Sequence, residues 1–257
     1  MSIATEISRL NTAKSDIKTA IQNKGVSVPS SSKIDGYPSL INQIQTFDPY
    51  NGHAYVEIGG LKWATMNIGA NNVTDYGLYF QWGDTAGYGA SNVGPNTESN
   101  KKPFTFADYK FGNGTSSSKV SGITKYNSTD SKTVLDLGDD AARANWGGSW
   151  RMPTTEEFAA LGTATTSAWT ADYQGSGVPG LVLTDKTDSS KVLFFPAAGI
   201  CGNGSVFYVG SSSTYWSSSV FSSGVQGAYS LYFDSSDVGW QNYGGRYYGF
   251  AVRGVVG

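Results

Sequence analysis

The pattern of this chain changes once, close to Asp48, and that change limits what it can fold into. From Ile3 to Lys24 there is neither glycine nor proline, and Ile3, Ile7, Leu10, Ile17 and Ile21 recur at alternating four- and three-residue intervals, with Lys14 in the one polar slot. That spacing predicts a helix with a heptad seam. Asn23-Lys24-Gly25 supplies a stop signal, and Val26 to Ser32 reads as a connector containing Pro and Ser. A second helix is expected over Tyr37 to Ile44, with Pro38 in its first turn and Leu40, Ile41 and Ile44 apolar. A short helix with a single stripe is marginal alone and gains by pairing with copies of itself. Residues 1–47 therefore read as a helical stem that makes a homo-oligomer through residues 3–24, a trimer being one such state. The alternative is a helical hairpin packed on its own domain.

Past the Gly-, Asn- and aromatic-containing stretch Asp48 to Gly52, residues 48–257 read as one domain built mainly of strands and loops. Tyr55-Val56-Glu57-Ile58 and Leu61-Lys62-Trp63-Ala64 flank Gly59-Gly60, a hairpin signature. The long run from Gly83 to Ser131 is rich in Gly, Ser, Thr, Asn and Lys and is expected to be loop lying over the surface. A short helix opened by Asp139-Asp140 is expected within Val134 to Ala144, where N-capping by either aspartate outweighs cation binding. Thr154 and Glu157 form a capping box for a helix to about Leu161. Strands are expected at Gly180 to Thr184, Val192 to Phe195, Tyr229 to Phe233 and Phe250 to Val255. The fold class is thus α+β.

Between Asn203 and Tyr248 more than half the residues are Ser, Tyr or Gly, the composition of a paratope, in which Tyr and Trp give large contact area at low entropic cost. Strand parity directs Tyr229, Leu231 and Phe233 to the core and Ser230, Tyr232 and Asp234 outward. At the last strand it places Phe250 and Val252 in the core, leaving Arg253 to pair or solvate. Asn203 to Ser213 and Trp240 to Tyr248 are expected as flanking loops that offer Phe207, Tyr208, Trp240, Tyr243, Tyr247 and Tyr248, with Trp240 equally compatible with core. Several of these exposed together would form an interaction surface.

The same sequence offers little catalytic chemistry. One cysteine, Cys201, and one histidine, His53, cannot make a four-ligand zinc site. Cys201 follows the apolar run Leu193 to Ile200 and reads as a small buried hydrophobe. There is no nucleophile elbow for a Ser-His-Asp triad, and Gly83 to Gly94 lacks the Gly-Lys-Ser or Gly-Lys-Thr end of a P-loop. No catalytic residue, metal or cofactor is expected. The net charge of -2, with Lys and Arg scattered, gives no nucleic-acid footprint. Met1 to Arg9 has no apolar h-region, and no segment nears the roughly 20 apolar residues needed to span a bilayer, so neither a signal peptide nor membrane insertion is expected.

Three motifs then combine: Asn145-Trp146-Gly147-Gly148-Ser149-Trp150-Arg151-Met152-Pro153-Thr154, Tyr215-Trp216-Ser217-Ser218-Ser219 and Gly249-Phe250-Ala251-Val252-Arg253. Their order and spacing resemble a family of C-type lectin-fold proteins of bacteria and their phages. That family overlaps the variable proteins of diversity-generating retroelements, whose C-terminal region is rewritten by adenine-directed mutagenesis copied from a template repeat. The resemblance covers about Tyr55 to the C-terminus, and residues 3–44 more weakly resemble the helical amino-terminal region of phage tail proteins. It implies a C-type lectin fold and a hypervariable ligand-binding face at about 203–248, with Phe207, Tyr208, Phe221, Val225, Tyr232, Asp234, Gly239, Tyr243, Tyr247 and Tyr248 as the variable positions. The sequence lacks the Trp-Asn-Asp and Glu-Pro-Asn signatures of calcium-dependent sugar lectins and the paired cysteines of the related formylglycine-generating enzymes. The function implied is non-enzymatic receptor binding or adhesion on a phage virion, toward a host-surface protein or glycan. A bacterial cell-surface or secreted adhesin of the same fold, and an inactive formylglycine-generating-enzyme-like domain, are the alternatives.

Overall fold

The computed structural model describes residues 2–22, 28–41, 50–95, 101–115 and 122–257. The chain divides into two compact units, one of Met1–Asp48 with Gln174–Ser176, the other of Pro49–Tyr173 and Gly177–Gly257.

In the first unit, helix α1 spans Ile3–Gln22 and α2 spans Tyr37–Ile41. The stop at Asn23-Lys24-Gly25, Val26 of the connector, Ile44 and the change at Asp48 lie outside the described residues. Ile21, Val28 and Tyr37 are buried together with Leu40 packed against them, so the end of the seam closes on its own hairpin. The rest of it does not: Ile3, Ile7, Leu10 and Ile17 are exposed, Ile3 at 81% and Ile7 at 54%.

The second unit begins with the expected hairpin, β1 (Tyr55–Ile58) and β2 (Leu61–Asn67), in which Ile58 pairs Leu61. Gly59 and Gly60 have φ of 61° and 79°, the paired positive values of a two-residue turn that follows strand twist. Helices α3 (Ala141–Trp146) and α4 (Thr155–Ala164) follow. Asp140 caps α3 by accepting from Arg143 N, and the Thr154/Glu157 box closes on α4 as expected, though α4 runs one turn past Leu161. β3 (Thr165–Thr170), β4 (Gly180–Asp185) and β5 (Val192–Pro196) form an antiparallel meander. A small hairpin of β6 (Ile200–Gly202) and β7 (Ser205–Phe207) leads to the sheet β8 (Ser212–Val220), β9 (Gly227–Asp234) and β10 (Val238–Gly245), with β9 central. The last strand, β11 (Arg253–Val256), returns to pair with β2. Helices beside antiparallel sheets make this an α+β protein.

Four expectations are corrected. The Gly83 to Ser131 run has no strand among its described residues, but it does not simply cover the surface: Phe104, Phe106, Tyr109, Phe111, Ile123 and Tyr126 are buried, and all but Phe104 join Trp82, Trp216, Phe250 and Val252 in one core cluster. Aromatic side chains widely spaced in a polar loop give no period, yet each buries a large area. The Val134 to Ala144 helix is displaced: Val134 bridges Ser219, Leu137–Asp139 is a 3-10 turn, and α3 starts at Ala141. Trp240 to Gly245 belongs to strand β10 rather than a loop. Finally, Asn203 to Ser213 is not wholly loop, since β7 and the start of β8 lie within it; Arg253, left to pair or solvate, pairs, fully buried and donating to Asn67 Oδ1, Ala64 O and Phe194 O at 2.8–3.0 Å.

Strand β8 was hidden by its serines. All but its first residue are buried, because both faces of the strand are covered, so no alternation marks it. The hydroxyls are paired inside: Ser217 Oγ donates to Tyr229 O at 2.8 Å, and Ser219 Oγ accepts from Thr155 N at 3.1 Å.

Candidate functional site

The fixed frame of the Asn203 to Tyr248 region is the β8–β9 pair. Tyr215 faces Leu231 and Trp216 faces Ser230 in register. Leu231, Phe233 and Trp216 are fully buried; the Tyr215 and Phe233 rings stack at 5.9 Å, and Trp216 Nε1 donates to Phe80 O at 2.8 Å. Parity holds for Leu231 and Phe233 inward and for Tyr232 and Asp234 partly outward. It fails for Tyr229, which is half-buried, and for Ser230, which is buried with no partner for its Oγ among the described residues. A central strand covered on both faces has two inner sides, so alternation separates faces without separating core from solvent.

The expected site residues fall into groups. Phe207 ends β7, opposite Ile200 at the open end of the β6–β7 hairpin, and Tyr208 follows it; both are exposed, and Tyr208 reaches 63%. Tyr208 has φ of 62°, a left-handed value unusual for a bulky residue, held because its carbonyl accepts from Ser211 N and Ser212 N at 3.0 and 3.1 Å.

A second group gathers around Phe221. Tyr243, 57% exposed on β10, stacks on it at 3.9 Å and 8°, and Tyr229 meets it edge to face at 5.3 Å. Val225 is half-buried against the core beside them. Phe221, Val225 and Tyr229 also line a cavity of about 370 Å³ whose other walls come from residues 127–134, Thr155, Glu156, Ser219 and Gln241. Sequence reasoning had no signal for this cavity, because its lining comes from segments over 100 positions apart.

At the other end of the sheet, Tyr232 donates to Asp234 Oδ2 at 2.7 Å. That bond, followed by burial, pushes the Tyr232 phenol up to about 12; the same bond, followed by those from Ser236, holds the Asp234 carboxyl far below the usual range against the opposing effect of burial. Asp234 Oδ1 also accepts from Ser236 N and Asp237 N at 2.7 and 3.0 Å, so this carboxylate organises the β9–β10 turn. Gly239 lies opposite Tyr232 in the ladder.

Tyr247 and Tyr248, expected to be exposed, are half-buried and packed against the core, their rings 4.4 Å apart. Tyr248 lies over Gly202, where an added Cβ would come within 2.8 Å of its ring. Trp240 is also half-buried, its indole flat on Gly162 of α4, where a Cβ would meet Cε2 at 2.5 Å. The next segment is clamped by Arg246, buried with its guanidinium 4.4 Å over Trp82 and donating to Gly227 O, Lys125 O and Tyr126 O. Phe207, Tyr208 and Tyr243 are therefore the freely presented rings among the expected positions.

Comparison with models of protein families, with curated proteins and with solved structures finds no match to this chain. Among the described residues no group of three or more His, Cys, Asp or Glu side chains is placed to hold a metal ion, and no helix is long and apolar enough to cross a membrane. The single thiol, Cys201, is buried, and burial pushes it up to about 12.

Proposed function

We propose that this chain is a non-enzymatic ligand-binding protein, acting in receptor binding or adhesion, with a C-type lectin-like domain that displays a replaceable surface on a fixed frame. The carrying observation is the division within one segment: Trp216, Leu231 and Phe233 have no exposed surface, while Phe207, Tyr208 and Tyr243 stand in solvent. Residues with much of their surface in solvent can be exchanged at small cost in stability. Rigid aromatic side chains among serines and glycines supply contact area with little entropy to lose. The exposed stripe of Ile3, Ile7, Leu10 and Ile17 supports the second half of the reading, a stem on which copies of this chain associate. Linked copies raise avidity by roughly 100-fold or more without new contacts. On this reading, which the likeness of the three motifs supports, the protein is one of the variable proteins of diversity-generating retroelements, carried on a phage virion and directed at a host-surface protein or glycan.

Sequencing this locus across related phages tests the proposal. Substitutions concentrated at Phe207, Tyr208, Tyr243 and their neighbours, with Trp216, Leu231 and Phe233 constant, are expected. Changes spread evenly over 55–257 would sink it.

A further inference from the structure

Strand β3 is an edge of its sheet, and it carries none of the features that usually guard an edge. Thr165–Thr170 contains no Lys, Arg, Asp, Glu or Pro, its register with β4 is unbroken, and Thr166, Ser167 and Ala168 are exposed in succession. Other edges are better protected: β5 is buried from Leu193 to Pro196, β1 carries Glu57, and β10 is broken by a bulge between Gly239 and Asn242.

The ladder shows which groups of β3 are open. Ala164 O accepts from Lys186 N at 3.0 Å, and Asp185 N turns the other way to donate to Lys191 O at 3.0 Å. In an antiparallel ladder the N–H and C=O of one residue point to the same side, and successive residues alternate. Thr166 and Ala168 therefore bond to β4, while the main-chain groups of Ser167 and Trp169 point away from it, with no partner among the described residues. Two residues in this arrangement offer two donors and two acceptors to an added strand.

A cavity of about 340 Å³ follows the same edge, with Ser167, Ala168 and Trp169 on one side and Asp234, Asp237 and Trp240 on the other. Consecutive residues of a strand point to opposite faces, so a cavity that takes in both Ser167 and Ala168 runs along the edge rather than against one face. Both formal charges in the lining are carboxylates. Asp234 is committed to its turn, but Asp237 is exposed and its carboxylate has no partner among the described residues. The half-buried indoles of Trp169 and Trp240 can take the aliphatic stem of a long cationic side chain. A second copy of this chain pairing through its own β3 would bring only Thr, Ser, Ala and Trp side chains and no cation.

We infer that the β3 edge takes an extended segment of another protein as an added strand, bonded to the main chain of Ser167 and Trp169, with a Lys or Arg side chain in the cavity against Asp237. None of the exposed rings Phe207, Tyr208 and Tyr243 lines this cavity, so the surface is a second one, independent of what the display region binds.

Amide NMR of the full chain, titrated with the blocked peptide acetyl-Thr-Val-Lys-Val-Thr-amide and with its Glu-centred counterpart, tests this. The Lys peptide should move the Ser167 and Trp169 amides, with Kd on the order of 1 mM for so short a segment, and the Glu peptide should bind about tenfold more weakly or not at all. Ser167→Pro should abolish binding and leave thermal unfolding near the parent, because the N–H it removes bonds nothing in the sheet. Asp237→Asn, at an exposed position, should weaken the Lys peptide about twofold to fivefold and remove part of its salt dependence. No binding of the Lys peptide, binding that leaves the Ser167 and Trp169 amides unmoved, or equal binding of the two peptides overturns the proposal. So does unchanged affinity in a folded Ser167→Pro variant; if that variant unfolds, unchanged affinity and salt dependence in Asp237→Asn decide against it. A concentration-dependent shift of the same amides without peptide would make a second copy the occupant and overturn it as well.

Discussion

Arg253 donates through Nε to Asn67 Oδ1 at 3.0 Å, a bond between residues 186 positions apart that ties the last strand to the first hairpin. The same asparagine donates through Nδ2 to Tyr76 O and Tyr215 OH at 2.9 and 3.0 Å, so one amide joins three parts of the chain. Arg253 has no carboxylate partner among the described residues. Its charge is met by carbonyls and by the Phe195 ring 4.4 Å from the guanidinium carbon, and burial lowers its pKa to about 10, leaving it charged at neutral pH. Arg253→Lys keeps the charge but cannot reach three separated acceptors with one ammonium. A loss of about 3 kcal/mol is expected, read as the midpoint of urea unfolding; an unchanged midpoint would contradict this account.

Asp139 should make stability depend on acid. Burial alone would raise its pKa, but Lys110 Nζ, Lys125 Nζ and the Tyr126 hydroxyl outweigh it and hold the carboxyl at about 2, against an ordinary 3.8. Because the folded value is the lower one, the stabilisation is complete above about pH 5 and is lost as pH falls through 3.8 toward 2. It amounts to about 2 kcal/mol. Asp139→Asn is expected to remove that part of the pH dependence while lowering stability at pH 7.

Cys201 should be inert to aqueous thiol reagents in the folded protein, since it is buried and its thiol is pushed up to about 12. Labelling with Ellman's reagent is expected to follow the unfolding curve. Fast labelling of the native protein would mean that the β6–β7 hairpin opens locally.

The division between frame and display predicts unequal costs. Leu231→Ala, at a position with no exposed surface, should cost about 2–5 kcal/mol. Tyr208→Asn should stay within about 0.5 kcal/mol of the parent, because the ring is mostly exposed and asparagine tolerates a φ of 62°. Thermal unfolding of both variants provides the comparison.

The exposed seam of α1 leads to a prediction about assembly. Ile7→Glu with Leu10→Glu places two charges in the stripe without touching the buried Ile21 end. Light scattering of the full chain should give a multiple of the 27.3 kDa monomer, and the double variant should give the monomer. A monomeric parent would remove the stem from the proposal.

The sequence by itself determined the features governed by a few neighbouring residues. These are the Gly59-Gly60 turn, whose positive φ values few other pairs accept, the Thr154/Glu157 cap on α4, the extent of α1 and the burial of Leu231, Phe233 and Phe250. The outward placement of Phe207, Tyr208 and Tyr243 was legible too, since clustered rings beside Ser and Gly have little to pack on locally. Tertiary structure alone decided the rest. Whether β8 could hide its serines depended on the Tyr229 and Pro153 carbonyls, and whether Arg253 could be buried depended on oxygens from Ala64, Asn67 and Phe194. The same holds for Tyr247 and Tyr248, drawn against a core that the 83–131 run helps to build, and for the cavity around Thr155. A polar group is buried only where distant chain supplies its partner. Local sequence records the group but not the partner.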